Sequence, residues 1–308
     1  MGLFSKKEEG DKRDSRGLNR NLPTAIFQSP TLHVLEGFKQ DHASSEPIIR
    51  LAKYMRDQFD VHKGDFVTLR KGDRIVRARV DVSSAEDGTD SVARLNPRSR
   101  ELLAAQVGDE IEIIPAETLI LLIDTSGSMM DYISGIQKMQ ASKNAVREFI
   151  RSKFLMGQGD RIGIVSFGEF ATFIESPSDN YEFLENRIDA LMPNGATAMY
   201  EGMNMSIENL ASRGGTKRIV LLTDGMPTTT GKMAILNLAK QAAEKRIVID
   251  TVGVGTPFDF MSYDEMLLRR IASITGGTFR RVLDVGQLSE EFRNLALGKN
   301  YAYLLPEK

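Results

Sequence analysis

From Glu117 onward the chain alternates short apolar runs with amphipathic stretches, and nothing else in the sequence constrains the fold as strongly. The runs fall at 118–123, 161–167, 171–175, 218–223, 247–254 and 278–282. The stretches between them carry the period of about 3.6 expected of helices at about 132–154, 180–191, 198–212, 232–244, 262–275 and 287–297. Gly214-Gly215 and Gly276-Gly277 serve as stop signals. A strand that is apolar at nearly every position has both faces covered, which happens when crossover helices lie above and below a parallel sheet. The pattern therefore predicts a doubly wound α/β domain over 117–300.

In such a sheet ligands bind beyond the carboxyl ends of the strands, where the strand order reverses. The first run empties into Asp124-Thr125-Ser126-Gly127-Ser128-Met129, where Asp124, Ser126 and Ser128 offer three hard oxygen ligands within five residues. A later loop offers Thr197 just before a helix, and the run at 218–223 leads into Asp224-Gly225. Carboxylates and hydroxyls without His or Cys favour Mg²⁺, with Mn²⁺ or Ca²⁺ as substitutes. Each residue also has a plainer use. Asp124, Ser126, Ser128 and Thr197 are good helix caps, and Asp-Gly is a common turn. Tyr200, Met203 and Met205, beside the second loop, are expected in the core, and His33, His42 and His62 on the surface.

The five residues in this order resemble the metal-ion-dependent adhesion site of von Willebrand factor A (vWA) domains, whose signature is Asp-x-Ser-x-Ser with later Thr and Asp ligands. The resemblance implies a Rossmann-like sheet, a metal held by Asp124, Ser126, Ser128, Thr197 and Asp224, no catalytic residue, and a partner protein whose Glu or Asp completes the metal shell. Proteins of this kind often work beside AAA+ ATPases, including the MoxR type, so an AAA+ ATPase or its client is the partner the resemblance implies. The competing class is a Mg²⁺-dependent phosphatase with Asp124 as nucleophile. Haloacid-dehalogenase-type enzymes also place an Asp there but need a second Asp two residues on, where this chain has Ser126. No phosphate-binding Gly-x-x-x-x-Gly-Lys-Ser/Thr loop is present. The plainest alternative is a structural module in which a second domain carries recognition.

That second domain is signalled by an internal repeat. Ile48-Ile49-Arg50-Leu51 and Val92-Ala93-Arg94-Leu95 begin two copies offset by 44 residues. Gly64-Asp65 then matches Gly108-Asp109, and Val67 and Leu69 match Ile111 and Ile113. Each copy reads strand, short helix, Gly-Asp turn, strand, and 74–82 alternates as a further strand. Halves that cannot bury themselves alone imply a small pseudo-twofold barrel over 48–115. These residues resemble the double-psi β-barrel in the N-domains of valosin-containing-protein-type AAA+ ATPases, which implies adaptor or substrate docking.

Residues 1–22 have the composition of a disordered tail, 23–47 form a linker or docking segment, and 301–308 form a C-terminal tail. The first residues lack the apolar core of a secretion signal, and Lys6 stands where myristoylation wants Ser or Thr. A net charge of −2 gives no electrostatic reason to bind nucleic acid or an anionic membrane. The absence of cysteine removes disulfides, thiolate zinc sites and cysteine nucleophiles, and fits a cytoplasmic location.

Overall fold

The computed structural model describes residues 31–297, apart from 60, 89–90, 157–158, 214 and 256–262. The tails expected at 1–22 and 301–308, the first part of the segment 23–47, and Gly214 lie outside the described residues.

Six strands close a barrel. They are β1 (Thr31–Glu36), β2 (Ile48–Leu51), β3 (Phe66–Lys71), β4 (Arg74–Val82), β5 (Val92–Leu95) and β6 (Glu110–Pro115), arranged β1-β5-β2-β4-β3-β6. Helices α1 (Lys53–Phe59) and α2 (Pro97–Leu103) follow β2 and β5. Alternate residues point inward, so Leu32 and Val34, Ile49 and Leu51, Val67 and Leu69, Ala93 and Leu95, and Ile111 and Ile113 fill the interior. Strand β1 lies within the segment read from sequence as linker or docking segment, and it is part of the barrel wall, parallel to β5 and antiparallel to β6.

The strand pairing has an approximate twofold symmetry. Arg50 faces Arg94 across the antiparallel β2–β5 pair, and the parallel β1–β5 pair is mirrored by β2–β4. The Gly64 N–H donates to the Val80 carbonyl and the Gly108 N–H to the Val34 carbonyl, both at 2.8 Å. These two glycines have φ of 96° and 94°, a region that favours glycine. Each copy also buries a forked ion pair, Arg50 with Asp41 and Arg94 with Asp87, and the Phe38 ring lies 5.2 and 5.1 Å from the two guanidinium carbons. The repeating unit is thus a strand longer than the sequence comparison suggested, because β1 corresponds to β4. Two extra residues before β2, absent before β5, hide that match from an ungapped alignment.

Ala116 alone separates the barrel from the first strand of the second unit, β7 (Glu117–Asp124). After β7 come a short hairpin, β8 (Tyr132–Ile133) and β9 (Ile136–Gln137), then α3 (Lys138–Met156), β10 (Arg161–Phe167) and β11 (Ala171–Ser178). Next are α4 (Tyr181–Ile188), α5 (Met199–Ala211), β12 (Thr216–Thr223), α6 (Lys232–Glu244) and β13 (Ile247–Val254). The unit ends with α7 (Glu265–Thr275), β14 (Phe279–Val282) and α8 (Val285–Leu297). The sheet order is β11-β10-β7-β12-β13-β14, parallel except for β11. One face packs Leu119, Leu121 and Ile123 against a cluster with Phe149 and Phe292, and the other packs Ile120 and Leu122 against Met203 and Ile207. This is the doubly wound architecture expected from the alternation of apolar runs and helices.

The helix expected at 132–154 begins instead at Lys138. Ser134 and Gly135, with φ of 50° and 80°, turn the preceding residues into the β8–β9 hairpin. Two consecutive left-handed residues match the right-handed twist of the flanking strands and exclude a helix there. Among the described residues no helix is long and apolar enough to cross a membrane.

At the amino ends of the strands lies a buried charge network. Lys153 on α3 contacts Glu117 at 2.7 Å and Asp160 at 2.9 Å, while Arg218 on β12 contacts Asp250 at 2.6 Å and Glu117 at 3.7 Å. The Arg218 guanidinium also donates to the Leu295 carbonyl on α8.

Candidate metal centre

The chain leaves β7 toward β10 and β11 on one side, then returns to build β12, β13 and β14 on the other. The reversal lies between β7 and β12, the place where this topology opens a crevice. Asp124 ends β7 and Asp224 follows β12 directly, so the sheet itself delivers both carboxylates to that crevice. Both are buried, together with Ser126 and Thr197.

Three loops meet there and are hydrogen-bonded to one another. The Gly127 N–H donates to the Gly195 carbonyl at 3.0 Å and the Asn194 N–H to the Thr125 carbonyl at 2.6 Å, joining the first loop to the second. The Thr197 N–H donates to the Thr228 hydroxyl at 2.9 Å and the Thr228 N–H to the Thr197 carbonyl at 3.3 Å, joining the second to the third. The side chains are correspondingly close. The Ser126 and Ser128 hydroxyls are 3.1 Å apart, and Ser128 donates to Asp224 Oδ1 at 2.7 Å. Gly225 bounds the space from below: a methyl added to it would sit 3.2 Å from Thr197 Oγ1 and 3.7 Å from both Asp124 Oδ2 and Ser128 Oγ. All five sequence-predicted residues are therefore brought together.

Charge is unevenly matched in this cluster. Asp124 accepts from the Ser126 N–H at 2.7 Å and from the Thr223 hydroxyl at 2.5 Å, both neutral donors. Burial pushes its carboxyl up to about 6; the negative charge of Asp224 adds to the rise, and the Thr223 and Ser126 hydrogen bonds oppose it. Asp224 instead meets a cation, Lys138, whose Nζ lies 2.8 Å from Oδ2. Lys138 is also buried, and the sequence reading missed it by placing it inside a longer helix. The Ser134-Gly135 turn was the available signal. Two carboxylates against one ammonium leave one negative charge in excess. Hard oxygens around that excess suit a hard divalent cation, and the residues present fit one.

Residues 119–226 match the family model described as von Willebrand factor type A domain. The von Willebrand factor type A structure from Catenulispora acidiphila superposes with a TM-score of 0.50 at 22% identity, covering 60% of this chain and 43% of that one. The fold is that of a von Willebrand factor A domain. The vWF domain of the type V pili tip protein Mfa5 from Porphyromonas gingivalis shares the A-domain fold at a TM-score of 0.51 and 15% identity, over 63% of this chain and 98% of that one. Among curated relatives, a UPF0353 protein of Mycolicibacterium gilvum is 26% identical over 199 residues, 58% of each chain. A UPF0353 protein of Nocardia farcinica is 31% identical over 137 residues, 41% of this chain and 40% of that one. The chain thus spans 58% of the length of the first of these relatives.

Proposed function

We propose that the A domain binds Mg²⁺ through Asp124, Ser126, Ser128, Thr197 and Asp224, with Mn²⁺ or Ca²⁺ able to replace it, and uses the site to capture an acidic side chain of another protein. The observation that carries this reading is the uncompensated charge of buried Asp124 among convergent hydroxyls. When bound, a divalent ion supplies a positive centre that an incoming carboxylate can approach. The residues around the crevice suit a protein partner. Exposed Met130, Phe170, Met192 and Met226 lie on the connections at this end of the sheet, and exposed Tyr132 and Ile136 on the β8–β9 hairpin that follows β7. Apolar side chains clustered around a polar site mark interaction surfaces.

The role is binding and not turnover. The position two residues after Asp124, where the phosphatase reading needs a carboxylic acid, is Ser126, whose hydroxyl is engaged with Ser128. The closed barrel, with its pseudo-twofold pairing, is proposed to be a double-psi barrel that docks a second partner; an AAA+ ATPase of MoxR or related type, or its client, is the candidate at one of the two surfaces. The lack of cysteine supports a cytoplasmic setting.

The test is Mn²⁺ binding followed by the electron paramagnetic resonance of the free ion, with Mg²⁺ as competitor. Asp124→Ala is expected to weaken binding by more than about 100-fold, since direct ligands matter at least as much as their supporting shell. Undiminished binding refutes the site. Phosphatase turnover that Asp124→Ala abolishes would overturn the non-enzymatic reading. Gly225→Ala is expected to weaken Mn²⁺ binding about tenfold without unfolding the domain, because its methyl would press on Thr197 Oγ1 and narrow the space. Wild-type affinity in that variant would show that the floor of the crevice yields.

A further inference from the structure

Lys138 is placed where a lysine is least expected. It is the first residue of α3, a helix of 19 residues, so its ammonium sits at the positive end of the helix dipole. Its side chain is only 3% exposed, so it also loses most of its hydration. Both effects disfavour a cation, and acidic residues are the usual occupants of a first turn. The protein nevertheless holds it there. The β8–β9 hairpin folds the chain back, the Lys138 N–H donates to the Asp131 carbonyl at 2.8 Å, and Nζ reaches Asp224 Oδ2 at 2.8 Å and Asp131 Oδ2 at 3.9 Å. Asp131 is well exposed, so Asp224 is the contact that holds the charge.

The hydrogen bonds of Asp224 define what this does. One carboxylate oxygen is taken by the Ser128 hydroxyl and the other by Lys138, whereas Asp124 has only neutral donors. We infer that Lys138 is a tethered cation that occupies one carboxylate of the metal site, confining Asp224 to holding the ion through water and setting a ceiling on divalent-ion affinity. This rests on the metal reading proposed above and goes beyond it. With Lys138 in place, the protein charge facing the ion is close to that of Asp124 alone. A divalent ion held by so little protein charge keeps an unsatisfied demand for negative charge, which an external carboxylate can meet. The tether also gives the metal-free protein a partner for one of its two buried carboxylates, so the fold does not depend on the ion.

The experiment compares wild type, Lys138→Met, Lys138→Arg and Asp124→Ala by Mn²⁺ titration and by thermal melting with Mg²⁺ or EDTA. A unit charge a few ångströms away moves proton affinities by roughly 10- to 1000-fold, so Lys138→Met is expected to bind Mn²⁺ at least about tenfold more tightly. Lys138→Arg keeps the charge and is expected to stay within about threefold of wild type. The Met variant is expected to melt earlier than wild type in EDTA and to gain more from Mg²⁺. A Met variant that folds only with Mg²⁺ supports the inference as well, because the ion then replaces the tether. Unchanged or weaker Mn²⁺ binding overturns it, as does failure to fold even in Mg²⁺, since Lys138 would then merely orient Asp224. Absence of Mn²⁺ binding by wild type would instead remove the metal reading itself, and Asp124→Ala gives the baseline for that outcome.

Discussion

Asp250→Ala is expected to destabilise the protein by about 3–5 kcal/mol, lowering the melting temperature by roughly 10 °C, because it leaves Arg218 buried without its closest partner. Asp250 is almost fully enclosed at the middle of β13. One of its oxygens receives Arg218 at 2.6 Å, and the other accepts the N–H and hydroxyl of Thr278 at 2.7 and 2.6 Å. Burial alone would raise its pKa; the Arg218 charge and the Thr278 donors outweigh that and hold it below the usual carboxylate range. Glu117 is likewise held low by Lys153 and Arg218 against its burial. Folded-state pKa values below the unfolded ones mean that this stabilisation is complete above the unfolded value near 4 and fades as acid approaches the lower folded value. Urea unfolding at neutral pH, repeated near pH 3, checks both parts. The wild type should lose about 1 kcal/mol of its advantage over Asp250→Ala between neutral pH and about pH 3, while exposed Asp73→Ala should stay within about 0.5 kcal/mol of wild type throughout. A neutral-pH change for Asp250→Ala below about 1 kcal/mol would show that the network is not integral to the fold.

The network also bears on how the two units are joined. Glu117 is the first residue of β7, two residues beyond the end of the barrel, and its N–H donates to Asp160 Oδ1 at 2.7 Å while its side chain meets Lys153 and Arg218. A single connecting residue anchored on both chemistries leaves little slack between Pro115 and the sheet.

The alternation of apolar runs with helices carried most of the fold, because continuous strands such as 118–123 and 218–223 have few alternatives to a covered parallel sheet. The five oxygens of the crevice were legible for a related reason: the topology fixes where strand ends meet, and Asp124 and Asp224 each stand at one. What escaped notice depends on register. Arg218 and Asp250 read as polar interruptions of apolar strands until the sheet sets them side by side. Strand β1 escaped because its parallel pairing with β5 spans more than fifty residues and the repeat is offset differently there. Lys138 escaped because a helical period continues across 132–137 even though Ser134 and Gly135 turn the chain back.

In the absence of metal, replacing Asp124 by Asn is expected to stabilise the protein near pH 7.5, the opposite of what removal of a structural residue does. The Asp124 carboxyl is raised to about 6 in the folded state, mainly by burial, from an ordinary value near 3.8. A folded-state pKa above the unfolded one favours the fold at low pH, and that benefit is lost as pH rises through 6. Roughly two units correspond to about 3 kcal/mol of penalty for the ionised group at neutral pH. Asn removes the charge, yet its amide supplies only one acceptor for the Ser126 N–H and the Thr223 hydroxyl, which gives back about 1–2 kcal/mol. The net expectation in EDTA is a gain of about 1–2 kcal/mol. Millimolar Mg²⁺ should reverse the order, because wild type gains stability by binding the ion while the Asn variant has lost its charged ligand. The same linkage requires wild type to release protons on binding Mg²⁺ near pH 6, and to release far fewer near pH 8, where Asp124 is already ionised. Calorimetric titration in buffers of different ionisation enthalpy measures that release directly. An Asn variant less stable than wild type in EDTA, together with Mg²⁺ binding that moves no protons near pH 6, would mean that Asp124 is not held charged against its burial and that the cluster has no deficit for a cation to fill.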